Sequence, residues 1–374
     1  MTLYSFGSNG NGQLGQGHTD DTDTPHPVQF ADPVTAPALT GKIELAFGGN
    51  HTLLLDCVSG RLFGSGDNQH SQLGLGLLSD CQPTTTKFVE LPLPKGARPV
   101  AHIAAGWEFS VVITDDGAVY TAGKGPKGEL ANGNSDIKQH REFLKVYNFD
   151  CSKPGGRVVK AVASMAHVVI LLESGELYGW GVSRKGQLGL TNANTGISTR
   201  PVAIDFSAGR DSPYKAVDVA CGRTFTLVLA RDASQTQSVI LLSNDKTMTK
   251  VVEEVSGLRH HISDPIISVA AGWSAIHVLS QSGQLVSAGN NSHGQLGPAD
   301  KTALRFASQS AGTEHYLGIS QSGSNGTVSA WGWGEHGNCG PDYTEERPKG
   351  EVYEVFKGTV RAVYGGYASS WILA

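Results

Sequence analysis

No stretch of eighteen apolar residues occurs in this chain, so nothing in it reads as a membrane-crossing helix. Positive charge is also scarce: 29 Lys and Arg against 34 Asp and Glu leave a net charge of −5, and neither end carries a basic run. A reader of DNA or histone tails is disfavoured, because phosphate recognition calls for a basic face. The first seven residues, Met1 to Gly7, enter a strand pattern directly, without the charged and apolar regions of a secretion signal. Five cysteines (Cys57, Cys81, Cys151, Cys221, Cys339) stand singly with no C-x-x-C pair. They read as reduced, mostly buried small hydrophobes of a cytoplasmic protein, with a nuclear fraction left open, and not as a zinc site. Three methionines and 17% charged residues do not describe a helical bundle.

Glycine is plentiful, with 48 residues, and much of it is periodic. The segment Gly7-Ser8-Asn9-Gly10-Asn11-Gly12-Gln13-Leu14-Gly15 returns at Gly66 to Gly74 and at Gly289 to Gly297. Weaker copies begin at Gly123, where the closing glycine is Ala131, at Gly181 and at Gly332. Successive starts at 7, 66, 123 and 181 lie 57 to 59 residues apart, and the gap of 108 from 181 to 289 hides one decayed copy. That copy is placed around Ser238 to Lys250, where Val239 to Ser243 keeps a strand and Asn244-Asp245-Lys246 keeps a turn. Repeats of this length indicate a solenoid or a propeller.

A second element recurs between these copies: a glycine or serine, two variable residues, then an apolar strand. It spans Gly48 to Leu55, Gly106 to Ile113, Ser164 to Leu171, Gly222 to Leu229, Gly272 to Leu279, Gly312 to Ile319 and Gly365 to Leu373. Pairs such as Ser59-Gly60, Asp116-Gly117, Ser174-Gly175 and Ser282-Gly283 supply the hairpin turns. Each unit therefore reads as two hairpins joined by a glycine-rich loop. An open row of such sheets would expose strand edges, which radial closure protects. The chain begins at the strand Leu3 to Phe6 and ends with Ser369 to Leu373, the strand that precedes that position in other repeats. The expected fold is all-β: residues 1–374 form a single seven-bladed β-propeller, closed by pairing of the N- and C-terminal strands.

These residues resemble the regulator-of-chromosome-condensation repeat, whose signature joins L-Y-x-x-G-x-N-x-x-G-Q-L-G to G-x-x-H-[ST]-x-x-L. The histidine stands at His51, His167 and His315, and is replaced by Phe109, Phe225, Ala275 and Ala368. The family's prototype is a guanine-nucleotide exchange factor for the small GTPase Ran, with a basic tail and a protruding hairpin wedge. Neither is visible here: 32 or 33 residues separate each early Gln-Leu-Gly glycine, or Ala131, from the next strand glycine or Ser164. The plant ultraviolet-B receptor repeats G-W-R-H-T, but here Gly106-Trp107-Glu108-Phe109 and Gly272-Trp273-Ser274-Ala275 keep the tryptophan without the arginine. The chain is most similar to the fungal alpha-tubulin-suppressor or killer-toxin-insensitivity propellers. That resemblance implies a heterodimer with a small CSL-type zinc-binding, electron-carrying protein, and an indirect role with Elongator in transfer-RNA wobble-uridine modification and with the enzymes of diphthamide synthesis. An exchange factor for a Ran-like GTPase is the alternative, and a light sensor built on clustered tryptophans is a third class.

No catalytic residue, cofactor or metal is expected from the motifs. Gly123-Lys124-Gly125-Pro126-Lys127-Gly128 matches G-x-G-x-x-G, yet it lies in register with the repeat's own turn and no helix pattern follows it. His260-His261 and Asp264 sit on an extended segment whose neighbouring side chains diverge. The recurring histidines read as structural, hydrogen-bonded to a neighbouring loop. The stronger signal is a surface. Closure should bring the residues after each strand glycine to one face: Trp107, Glu108, Met165, Arg223, Trp273, Glu314 and Tyr367. Aromatic residues, Met and Arg are enriched at interface centres. Trp107 and Trp273 are then the anchors of a partner-binding face, with Glu108 and Glu314 as acidic contacts and no direct nucleic-acid or membrane contact. Packing of each ring over its own neighbouring blade is the competing reading and stays open.

Overall fold

The computed structural model describes residues 1–34, 36–39, 42–76, 83–189, 195–207, 213–245, 248, 251, 264–299, 304–322, 325–341 and 349–374. Seven antiparallel sheets stand side by side around an axis, each with its innermost strand against those of its neighbours. Those innermost strands are Ile43–Phe47 (blade 1), Val100–Ala105 (blade 2), Val158–Ala163 (blade 3), Lys215–Cys221 (blade 4), Ile266–Ala271 (blade 5), Ser308–Ala311 (blade 6) and Ala362–Gly365 (blade 7). Blades 4 and 5 have three strands among the described residues, and the other five have four. The decayed copy supplies Gln237–Leu242 as the third strand of blade 4, followed by a turn in which Met248 N donates to Asp245 O. Lys246, Thr247, Thr249 and Lys250 of that copy, like Cys81 and the pair His260-His261, lie outside the described residues.

The ring closes as the sequence implies. Leu3–Gly7 pairs with Ser369–Leu373 in unbroken register from Leu3 with Leu373 to Gly7 with Ser369, so blade 7 takes two strands from each end of the chain. The core is divided into seven apolar clusters, one at each seam between neighbouring blades. The second strand of each blade is buried on both faces, as in His51–Asp56, Phe109–Thr114 and His167–Leu172, which is why these strands read as continuous apolar runs rather than alternating ones.

Tight turns join the innermost strand to the second, and in six of the seven blades, all but that of Ser164, they open with glycine. Gly48 N donates to His51 O, and the His51 ring folds back over Gly48 so closely that a Cβ there would stand 2.0 Å from it. Gly106 with Phe109, Gly222 with Phe225 and Gly312 with His315 repeat the contact. Blade 7 corrects the sequence register by one residue. Gly366 N donates to Ser369 O, so Gly366 rather than Gly365 is the turn glycine, and Ser369 rather than Ala368 holds the histidine position. The Gly365-Gly366 doublet hides this shift, because either glycine satisfies the spacing.

Each histidine reaches across a seam to a hydroxyl on the second strand of the next blade, rather than to a loop. His51 Nε2 meets Ser110 Oγ at 2.9 Å, His167 Nε2 meets Thr226 Oγ1 at 3.2 Å, and His315 Nε2 meets Ser370 Oγ at 3.0 Å. Thr226 and Ser370 donate their single hydroxyl protons to Gln187 O and Asn338 O, so they must accept from a protonated Nε2. Where the turn carries Phe109 or Phe225, the corresponding residue of the next blade is Val168 or Ile276. Ring and partner are thus matched seam by seam, polar with polar and apolar with apolar.

Burial holds the three imidazoles neutral, pulling His51 down to about 3 and His167 and His315 to about 4 from the ordinary 6.5. The unfolded chain takes up these protons first as pH falls. Stability is therefore full above pH 6.5 and lost on acidification to about 4, with each histidine adding a slope of ~1.4 kcal/mol per pH unit. The His167→Phe variant should lose one such increment, giving a shallower decline in urea-unfolding free energy between pH 6.5 and 4. An unchanged slope would mean that the ring is already charged in the folded protein.

Candidate protein-docking site

The turns after the innermost strands all lie at one mouth of the axial channel. A chain of backbone hydrogen bonds links them from blade to blade. Gly49 N donates to Trp107 O (3.1 Å) and Trp107 N to Met165 O (3.2 Å); further round, Arg223 N donates to Trp273 O (3.1 Å), Trp273 N to Thr313 O (2.6 Å) and Thr313 N to Gly366 O (3.2 Å). Trp107, Arg223 and Trp273 are thereby held at the rim by their backbones, and their side chains are left to project over the opening.

Three of those side chains meet. Trp107 and Trp273 have ring centroids 6.2 Å apart, Trp107 and Tyr367 5.6 Å, and Trp273 and Tyr367 5.8 Å. They come from blades 2, 5 and 7, no two of which are neighbours, so contact is possible only over the axis. Together they form a lid across the channel. The lid needs room at blade 1, where Gly49 supplies it: a Cβ there would stand 3.1 Å from Cδ2 of Trp107. Gly49 is a contributor that reading the sequence for chemistry passes over, and the Gly48-Gly49 doublet is its only signal.

Arg223 lies against the lid with its guanidinium carbon 5.5 Å from the Trp273 ring centre, within cation–π range. Arg223 is exposed and Met165 half-buried. Trp107 is 40% exposed, whereas Trp273 and Tyr367 are half-buried. Beneath the lid lies an axial cavity of about 630 Å³, whose wall includes Trp273, Tyr367, Ser164 and Cys221. The Tyr367 hydroxyl is buried beside the Trp273 indole and Ser164, and burial pushes it well above its ordinary value.

The two acidic residues occupy a different part of the site. Glu108 pairs with His70 Nε2 and Lys124 Nζ, each at 3.2 Å, fastening the lid loop of blade 2 to flanking glycine-rich turns. Glu314 accepts from Ser274 Oγ at 2.9 Å and Gln295 Nε2 at 2.7 Å, and its burial raises its pKa. Both carboxylates are engaged within the propeller, leaving Trp107 and Arg223 as the exposed groups of the set. The glycine-rich segment at Gly123 forms the same turn as its counterparts: Ala131 N donates to Gly128 O just as Gly15 N does to Gly12 O. Ala131 keeps the left-handed conformation of the glycine it replaces, with φ 53°.

A closed ring of seven such blades, joined by Gly-x-x-[His/Phe] turns and Gly-Gln-Leu-Gly loops, defines a propeller of the chromosome-condensation-regulator type. Residues 2–372 match the RCC1-like domain, and the chain belongs to that family. It is 30% identical to an RCC1 repeat-containing protein of Schizosaccharomyces pombe, over 99% of this chain and 98% of that one. It is 24% identical to the mouse secretion-regulating guanine nucleotide exchange factor, over 92% of this chain and 76% of the other. Human WBSCR16 shares the fold, with a TM-score of 0.77 at 20% identity, covering 100% of this chain and 98% of that chain.

Two tryptophans this close in a shared, partly dry environment should give a near-ultraviolet circular-dichroism signal that depends on both. Trp107→Ala should remove it and cost about 1 kcal/mol of stability, since each aromatic contact contributes ~0.5–1.5 kcal/mol. A spectrum unchanged by the substitution would show that the rings do not meet in solution.

Proposed function

We propose that this chain is a non-enzymatic scaffold that docks a small protein partner over the aromatic lid. The observation that carries this reading is the convergence of Trp107, Trp273 and Tyr367 from three separate blades, with Trp107 exposed and Arg223 beside it. Folding would not leave a large indole in water at the centre of a face if it served only to fill the core. Aromatic and Arg anchors near a patch centre are what carry most binding energy at protein interfaces. The partner we infer, from the resemblance to the fungal tubulin-suppressor propellers, is a small CSL-type zinc-binding protein. The resulting heterodimer would act in the cytoplasm in support of Elongator-dependent wobble-uridine modification and diphthamide synthesis, and the metal would belong to the partner.

The similarity to a guanine nucleotide exchange factor favours a second reading, exchange on a Ran-like GTPase. Against it, all 26 strands among the described residues belong to the blades, leaving no extra hairpin there to act as a wedge.

Size-exclusion chromatography of the chain with the CSL protein of the same organism should give a one-to-one complex. Trp107→Ala combined with Trp273→Ala should weaken that complex at least tenfold while the propeller stays folded. Separate elution of the wild-type proteins would defeat the scaffold reading. Many-fold acceleration of GDP release from Ran by the chain would install the exchange reading in its place.

A further inference from the structure

At the end of the propeller opposite the lid, four consecutive blades share an irregularity. The pairing of the innermost strand skips a residue between Val100 and His102, between Val158 and Lys160, between Ala216 and Asp218, and between Ile266 and Ser268. Each skip is a β-bulge near the start of the strand, whereas the lid turns follow the strand's end. The bulged residue is apolar every time: Ala101, Val159, Val217 and Ile267. Val159, Val217 and Ile267 are 37%, 41% and 49% exposed, and Ala101 is half-buried. One exposed aliphatic residue is ordinary, but four at one structural position in adjacent blades make a continuous apolar arc. Bulges re-aim side chains, and here the same device is used four times in succession.

The inner-rim charges that form no ion pair have one sign. Two residues before the bulge, or at the equivalent position, stand Lys42, Arg157, Lys215 and Arg361 in four blades, and Pro99, Pro265 and Ala307 in the others. All four cations are exposed and form no ion pair among the described residues. The inner-strand carboxylates are already engaged: Asp218 takes Lys160 at 2.6 Å and Val269 N at 3.0 Å, and Glu44 lies 3.5 Å from His102. Asp56, Asp115, Glu173 and Asp232 sit on or beside the hairpin turns of the second strands, and Asp264 accepts from Ser282 N in such a turn. An occupant at the rim therefore meets aliphatic side chains and unneutralised cations.

We infer that this arc binds a segment of a partner protein, extended as a polyproline-II helix with three residues per turn, in which large apolar residues recur about every third position with carboxylates between them. Neighbouring blades pack roughly 10 Å apart, so four bulges span about 30 Å, the reach of about nine extended residues. Three residues per blade sets the spacing of the apolar side chains. This inference does not depend on the lid, which lies at the other mouth.

The probe is a fluorescein-labelled dodecapeptide of four Leu-Asp-Ser repeats, titrated with the full chain and followed by anisotropy. Saturable binding is expected. Val159→Ser, Val217→Ser and Ile267→Ser combined should weaken it at least tenfold, as should Arg157→Glu with Lys215→Glu. A Leu-Lys-Ser peptide should not bind, and Trp107→Ala with Trp273→Ala should leave binding intact whatever it does to the CSL complex. Unaltered near-ultraviolet circular dichroism would verify that the surface variants fold. Absence of saturable binding, or equal binding by the triple-serine chain, overturns the proposal. So does a concentration-dependent dimer that the triple-serine chain cannot form, because the arc would then be a seam between two copies.

Discussion

Everything in this propeller hangs on the antiparallel pairing of Leu3–Gly7 with Ser369–Leu373. Each blade is supported by a seam on either side, and the seam between blades 7 and 1 exists only when the two ends of the chain share a sheet. That seam buries Leu3, Leu14, Phe63, Phe88 and Trp371. It also fixes where Tyr367 stands, two residues ahead of the closing strand, and so whether the ring can complete the lid with Trp107 and Trp273. Fold and site are therefore coupled at one place: what closes the ring also assembles the candidate docking surface.

The two ends of the axial channel are made by different means. At the lid, short turns with a fixed backbone path present whatever side chain follows the glycine, so composition can vary while position cannot. At the opposite mouth, the bulges alter the path itself. Between them lies a cavity whose wall carries the inner sides of Trp273 and Tyr367. Those two rings are the internal counterpart of the surface at which Trp107 is exposed.

Much of this was legible in the sequence, because repetition converts a three-dimensional relation into a spacing. The seven strand elements, the closure and the gathering of Trp107, Trp273 and Tyr367 at one face all follow from equivalent positions in equivalent units. What spacing could not supply was anything that depends on a neighbour. The single-residue register of blade 7 was masked by two adjacent glycines. The engagement of Glu108 with His70 and Lys124, and of Glu314 with Ser274 and Gln295, joins residues whose proximity only closure creates. The bulges leave no mark in composition, since Val159 or Ile267 reads as an ordinary strand residue until its partner is known. The histidine partners were one repeat away, at offsets of 55 to 59 residues, and could be recognised only once the seams were known.

The alternation of those seams has a consequence for how the chain counts its own blades. His167 finds a hydroxyl only because blade 4 follows blade 3; docked instead against blade 5, it would face Ile276 and its Nε2 proton would have no acceptor. Phe109, displaced by one blade, would press an apolar ring on Thr226. A one-blade slip at any of the first three seams would misalign such a pair. The His and Phe turns of the first blades thus act as a local check on order, since a blade that skips its neighbour there sets a ring against a partner of the wrong polarity.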